Sequence, residues 1–209
     1  SILKNSDEKS FNVKVIPHGF SPRRTNVESV IEKYAPWEVT AQLIGSKVNY
    51  QIYRKEPNDE KRKPVANISK TAKGRNDFAV GSKTCGNVKI DLLIYEDRAG
   101  SWAPKAVQKF SKISDQLEEN CGIKIFNDGI RIMPYGKRGN DWLNLDKRYL
   151  KRAAGKVRNR NVIGYVLLSR ERNPEIKETT TREGLIENGA FKFVRDRLMI
   201  DLLTEFENY

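Results

Sequence analysis

Two stretches of the 209-residue chain carry side chains that invite chemistry. The first is TTTREGLIEN, Thr179 to Asn188, where three hydroxyl residues, an arginine and a glutamate stand between an apolar run and the last helical pattern. Such a stretch is either an ordinary capped turn or a fixed turn that presents one positive charge, Arg182, to an anionic ligand. The second runs from Lys137 to Arg160, where nine basic residues face only Asp141 and Asp146, a surplus of seven charges in a chain whose formal net charge is +12. A patch of this kind suits phosphates, whether of nucleotide or nucleic acid, and its plain alternative is a solvated loop.

Other chemistries find little support. His18 is the only histidine, which removes a histidine pair for a metal and leaves one isolated base in an N-terminal strand end. Cys85 and Cys121 are far apart, without a CxxC partner, and read as reduced core thiols. Neither GxxxxGK[ST] nor a strand-borne GxGxxG is present. A nuclease built on Asp91, Glu96 and Asp97 lacks the lysine that such an acidic cluster needs. No metal site is expected. There is no apolar run of 18 residues and no secretory signal pattern, so the expectation is a cytoplasmic protein.

The elements that must position these residues follow from periodicity. A hydrophobic fraction of 38% can fill a core. Strands are expected at Phe11–Pro17, Val48–Tyr53, Val65–Ile68, Phe78–Val80 and Asn87–Tyr95, with a helix-like stretch at Asn26–Tyr34; residues 1–46 are the least patterned. Ser101–Asn120 places Ala103, Val107, Phe110 and Leu117 on one helical stripe. GIKIFNDGIRI reads as a hairpin, with Ile123, Ile125, Ile130 and Ile132 alternating with Lys124 and Arg131 around an Asn-Asp-Gly turn. The segment after Gly136 is rich in turn-formers. Val162–Leu168 is near-continuously apolar, as a strand covered on both faces would be. From Gly189, Phe191, Val194, Leu198, Leu202 and Phe206 form the stripe of a final helix. The class is α/β, a mixed sheet with packed helices, in one domain over 1–209.

Hairpin, Pro134-Tyr135, long loop, apolar strand, polar turn and final amphipathic helix follow one another in GIRIMPYGKRG and NVIGYVLLSRERNPEIKETTTREGLIEN. From Ile123 to Tyr209 this order resembles the transducer, or second, domain of GHKL-type ATPases, as in bacterial ATP-binding proteins and the Microrchidia (MORC) ATPases. MORC proteins carry a comparable Pro-Tyr hairpin end and a Thr-His-Asn-Lys-Gln-Asp-Phe turn.

The resemblance implies a ribosomal-protein-like left-handed βαβ fold, with Arg182 reaching the γ-phosphate of ATP held with magnesium by a preceding domain. A guanidinium on a rigid turn can meet two oxygens of a departing phosphoryl group. Glu183 would hold Arg182, Thr181 would cap the turn, and Lys137 would approach the nucleotide from a second loop. Arginine in place of the MORC lysine keeps the charge and changes its geometry. The ATP-binding half, an ExxxNxxD-type helix and a DxGxG, is absent from this chain, so the upstream GHKL ATP-binding domain is an implied partner. Dimerisation of the full-length protein is implied as well. The competing class is a basic nucleic-acid-binding module, with DNA as its partner, Lys147, Arg148, Lys151, Arg152, Lys156, Arg158 and Arg160 on phosphates and Trp142 or Tyr149 stacking on bases.

Overall fold

Backbone pairing begins at the most local signal. Asp128 and Gly129 both take positive φ, 49° and 79°, as a two-residue hairpin turn requires. They join β5 (Gly122–Asn127) to β6 (Ile130–Ile132) with Asn127 opposite Ile130. In the computed structural model, which describes residues 34–55, 61–71, 76–95, 117–151, 156–181 and 183–209, this hairpin closes one edge of a seven-stranded sheet.

The other strands are β1 (Trp37–Ile44), β2 (Lys47–Arg54), β3 (Lys63–Thr71), β4 (Val88–Ile94) and β7 (Val162–Leu168). Their order is β3-β2-β1-β4-β7-β5-β6. All neighbours are antiparallel except β5 and β7, which pair in parallel with Gly122 opposite Ile163. The sheet is therefore mixed and the class α/β, as its sequence pattern predicts.

β7 is central, and six of its seven residues are buried. One face of the sheet carries Val39, Leu43, Tyr50, Ile52, Ile90, Leu92 and Ile125. The final helix covers it, continuous through α3 (Gly189–Lys192), a π-helical stretch (Phe193–Met199) and α4 (Ile200–Glu207). Phe191, Val194, Leu198, Leu202 and Phe206 are all buried, the stripe read from the sequence. Trp37 meets Phe206 edge-on at 5.4 Å. Each such side chain contributes roughly 1.5–3 kcal/mol by leaving water. The opposite face buries Leu93, Tyr95, Ile163 and Tyr165 against Leu117.

Several elements differ from expectation. Phe78–Val80 belongs to a helix, α1 (Asn76–Cys85), rather than a strand. A three-residue apolar run does not define a period, whereas Ser82 and Cys85, both buried and three apart, mark a helical face. β1 has no counterpart among the expected strands: Val39, Ala41 and Leu43 do alternate with Thr40 and Gln42, but Ala35-Pro36 just before them reads as a helix stop. Ile123, Ile125 and Ile132 are buried as the alternation predicts, whereas Lys124 is buried and Ile130 is 66% exposed against it. The Lys124 stem packs at Gly136, and its ammonium lies 5.5 Å from the Tyr165 ring centre. Residues 117–120 are helical. The rest of the Ser101–Asn120 helix, the Phe11–Pro17 strand, residues 26–33 of the Asn26–Tyr34 stretch and His18 lie outside the described residues.

Candidate functional site

The turn at Thr179 to Asn188 is built from its neck outward. Glu178 bridges Leu185 in antiparallel fashion, the Thr179 amide donates to the Gly184 carbonyl at 3.0 Å, and the Ile186 amide donates to the Lys177 carbonyl at 2.8 Å. The neck is also tied to the hairpin. Met133 forms a parallel bridge with Glu183, and the Leu185 amide donates to the Tyr135 hydroxyl at 3.0 Å.

Tyr135 is itself locked, its ring 5.3 Å from Trp142 and 5.7 Å from Phe191. Burial pushes its phenol pKa upward, and the Leu185 hydrogen bond works in the other direction. Gly184 takes φ +102°, a value that disfavours a side chain, and passes beside the Tyr135 hydroxyl.

The tip projects from this neck. Thr180, Thr181 and Glu183 are exposed, and the Thr181 hydroxyl lies 3.2 Å from that of Thr179. Arg182 lies outside the described residues, between these two placed neighbours. The final helix is capped by Asn188, whose side chain accepts from the Phe191 amide at 3.0 Å and donates to the Glu175 carbonyl. Lys137 is exposed, two positions after Tyr135, in a turn whose amide donates to the Pro134 carbonyl at 3.0 Å. The PYGKRG turn and the Thr179–Leu185 turn thus converge on one tyrosine.

The basic segment is not a plain loop. It contains α2 (Leu145–Lys151) and a 3-10 turn (Asn159–Asn161). Its two acidic residues shape it: the Asp141 carboxylate accepts from the Leu145 and Asp146 amides at 2.9 Å each, and Asp146 accepts from the Asn159 amide at 3.1 Å.

Four of its cations are engaged in the fold, the first being Arg138, which pairs with Glu118 at 2.8 Å. Arg148 and Lys156 both bind Glu207, whose side chain is 2% exposed and which also accepts from the Val157 amide at 3.2 Å. Arg158 stacks on Tyr149 at 4.5 Å and stands 4.0 Å from Asp146. Lys147, Lys151 and Arg160 are exposed. Arg152 lies outside the described residues.

Neither aromatic residue considered for stacking on bases is open to one on all sides. Trp142 donates its indole N–H to the Ile123 carbonyl at 2.9 Å and stacks on Phe191, while Tyr149 carries Arg158. Asp91 pairs with Lys89 at 3.2 Å, Glu96 and Asp97 lie outside the described residues, and no group of three metal-ligating side chains occurs among the described residues. No described helix is long and apolar enough to cross a membrane.

Sequence reasoning missed Asn173, which is 1% exposed and holds three backbone groups: it donates to the Cys85 and Asn87 carbonyls and accepts from the Ser169 amide. It also missed Glu207, the carboxylate that organises the basic segment. Neither has a motif; each is recognisable only through what folding brings to it. No family model, curated protein or solved structure matches the chain.

Proposed function

We propose that the chain is a transducer module of a GHKL-type ATPase, which contributes Arg182 from the Thr179–Leu185 turn to the γ-phosphate of ATP bound with magnesium on a preceding domain. The observation that carries this reading is the hydrogen bond from Leu185 to Tyr135. It joins the two halves of the motif, Pro-Tyr and the Thr-Arg-Glu turn, fifty positions apart in sequence. A charge offered to a transferring phosphoryl needs a rigid mount, because stabilisation depends on donors already in place. The neck, pinned at Met133, Tyr135 and Lys177, is such a mount. The parallel pairing of β5 and β7, with β6 and α2 in the chain between them, is the crossover that supports this reading.

Adenine recognition and magnesium ligation belong to the preceding domain in this reading, and Lys137 approaches the nucleotide from the adjoining turn. Coupling of nucleotide state to conformation runs through the neck into the final helix, since Leu185 and Phe191 both touch Tyr135.

The test is turnover of the full-length ATPase. Arg182→Ala is expected to lower it by about 10²-fold or more, and Arg182→Lys to retain part of it. Wild-type turnover in a folded Arg182→Ala protein overturns the assignment. The alternative, a basic nucleic-acid-binding module without ATPase role, is favoured by one observation: Lys147, Lys151 and Arg160 remain exposed after the fold has engaged their neighbours.

A further inference from the structure

α1 meets the final helix at Gly81, where an added Cβ would stand 2.1 Å from the Phe193 ring. Beside that contact lies a groove of about 860 Å³, bounded by α1, the turn around Arg172 and the first turns of the final helix. This size falls within the roughly 300–1,000 Å³ of small-ligand clefts. Its apolar lining includes Val80, Ala190 and Phe193.

The charged lining is unbalanced. Lys83, Arg172 and Lys192 face it against Glu175 and Asp196. Asp196 is already gripped by the Arg195 guanidinium, at 2.6 Å and 3.0 Å, an interaction that lowers its pKa. Lys83 and Arg172 form no ion pair among the described residues. The Arg172 turn is held firmly, because the neighbouring Asn173 side chain binds both ends of the α1–β4 connection, at Cys85 and Asn87.

We infer that this groove binds a small amphiphilic anion: an aromatic or aliphatic body against Val80, Ala190 and Phe193, with one carboxylate, sulfonate or phosphate directed to Lys83, Arg172 and Lys192. The inference is independent of the ATPase reading. It rests on an apolar lining and a cationic excess at one groove of suitable volume. An uncharged ligand would leave the cationic excess unused, and inorganic phosphate alone would leave the apolar lining unused.

The experiment is a titration of the chain with anilinonaphthalene sulfonate and with uncharged phenylnaphthylamine, followed by fluorescence and by backbone amide NMR shifts. The sulfonate is expected to bind saturably at one site, with shifts centred on Gly86, Gly189 and Lys192, and the neutral analogue to bind at least about tenfold more weakly. Lys83→Glu and Arg172→Glu are each expected to weaken the sulfonate by about tenfold.

Gly189→Leu provides a steric test. Gly189 lines the groove and a Cβ there meets nothing within 4 Å, so a larger side chain can be placed at the groove without a clash at its first atom, and leucine is the better helix former. Binding is expected to vanish while Tm holds or rises. Undiminished binding by folded Gly189→Leu, or equal affinity for the neutral analogue, overturns the inference. A polyglutamate peptide that displaces the dye where phenyl phosphate does not would also overturn it, in favour of an acidic peptide.

Discussion

The two ends of the final helix hold their neighbours by different physics. At its start, the neck of the Thr179–Asn188 turn is tied by neutral groups, namely backbone bridges, the Tyr135 hydroxyl and the Asn188 cap, while ion pairs of Glu178 with Arg170 and of Glu187 with Arg195 stand at its flanks. At its end, 18 residues and about 27 Å further along, α2 and the Lys156–Val157 segment are gathered by the carboxylate of Glu207. A carboxylate at a helix C-terminus is disfavoured by the aligned peptide dipoles, and the two cations reverse that penalty. Where neutral groups do the holding, the tip residues Thr180, Thr181 and Glu183 stay exposed. Where charges do the holding, counting cations in the sequence overstates what a ligand can meet.

The largest expected effect tests the second half of this contrast. Glu207→Ala removes the partner of two cations and of a backbone amide at once. Loss of one member of a buried pair costs about 3–5 kcal/mol, and because Arg148 and Lys156 are 22% exposed the loss here is expected near about 3 kcal/mol. Urea unfolding measures it. Combined with Arg148→Ala, the effects should be clearly less than additive, since both act on one cluster. A loss below about 0.5 kcal/mol, the range of exposed pairs, breaks the comparison.

Tyr135→Phe addresses the other end. The ring keeps its contacts with Trp142 and Phe191, but the buried Leu185 amide loses its acceptor, for an expected cost of about 1–2 kcal/mol. Under the proposed ATPase reading the same variant should lower turnover of the full-length protein by more than the loss of stability accounts for, because the mount of Arg182 is loosened. Full turnover in a measurably destabilised variant would separate the turn from catalysis.

How much of this was legible beforehand depends on the range of the interaction. The hairpin, β7 and the final helix are written in local periodicity, and each stands within a residue or two of expectation. Lys124 is the counterexample: alternation places it outside, whereas β5 sits between two strands and its lysine is buried beside Tyr165. The Thr179–Asn188 turn was legible as a turn because threonine, glycine and asparagine announce one. Its attachment to Tyr135 and the capture of Arg148 and Lys156 by Glu207 were not, since partners fifty or more positions apart share no sequence period.

Alkaline pH should weaken the fold by a smaller amount that includes the Tyr135 end. Burial raises the pKa of Tyr135, and also of Tyr50 and of Cys85, whose thiol is pushed up to about 12. For groups whose folded pKa exceeds the unfolded value, stability is fully present below the unfolded value and is lost as pH rises toward the folded one. The unfolded values are 9.0 for cysteine and 10.0 for tyrosine, so Tm should be level to about pH 9 and fall above it. Tyr135→Phe should reduce the fall without abolishing it, as Tyr50 and Cys85 remain. An unchanged slope in that variant would mean that the neck opens in the native ensemble.

The smallest effect on stability belongs to the cations the fold leaves exposed. Lys147, Lys151 and Arg160 reversed together to glutamate should change unfolding free energy by no more than about 0.5 kcal/mol, since none has an ion-pair partner among the described residues. Their effect should appear on polyanions instead. If all seven basic residues assigned to phosphates in the nucleic-acid reading met them, the dependence of duplex DNA affinity on salt would carry a slope near −6, at about −0.9 per contact; three contacts give about −2.7. The triple reversal is therefore expected to flatten the slope by about 2.7 while leaving the urea midpoint in place. Arg148→Gln with Lys156→Gln should do the opposite, lowering the midpoint and sparing the slope, because those side chains are turned to Glu207. If the second pair flattens the slope as much as the triple does, Glu207 releases its cations to DNA, and the two ends of the helix are less different than their contacts make them.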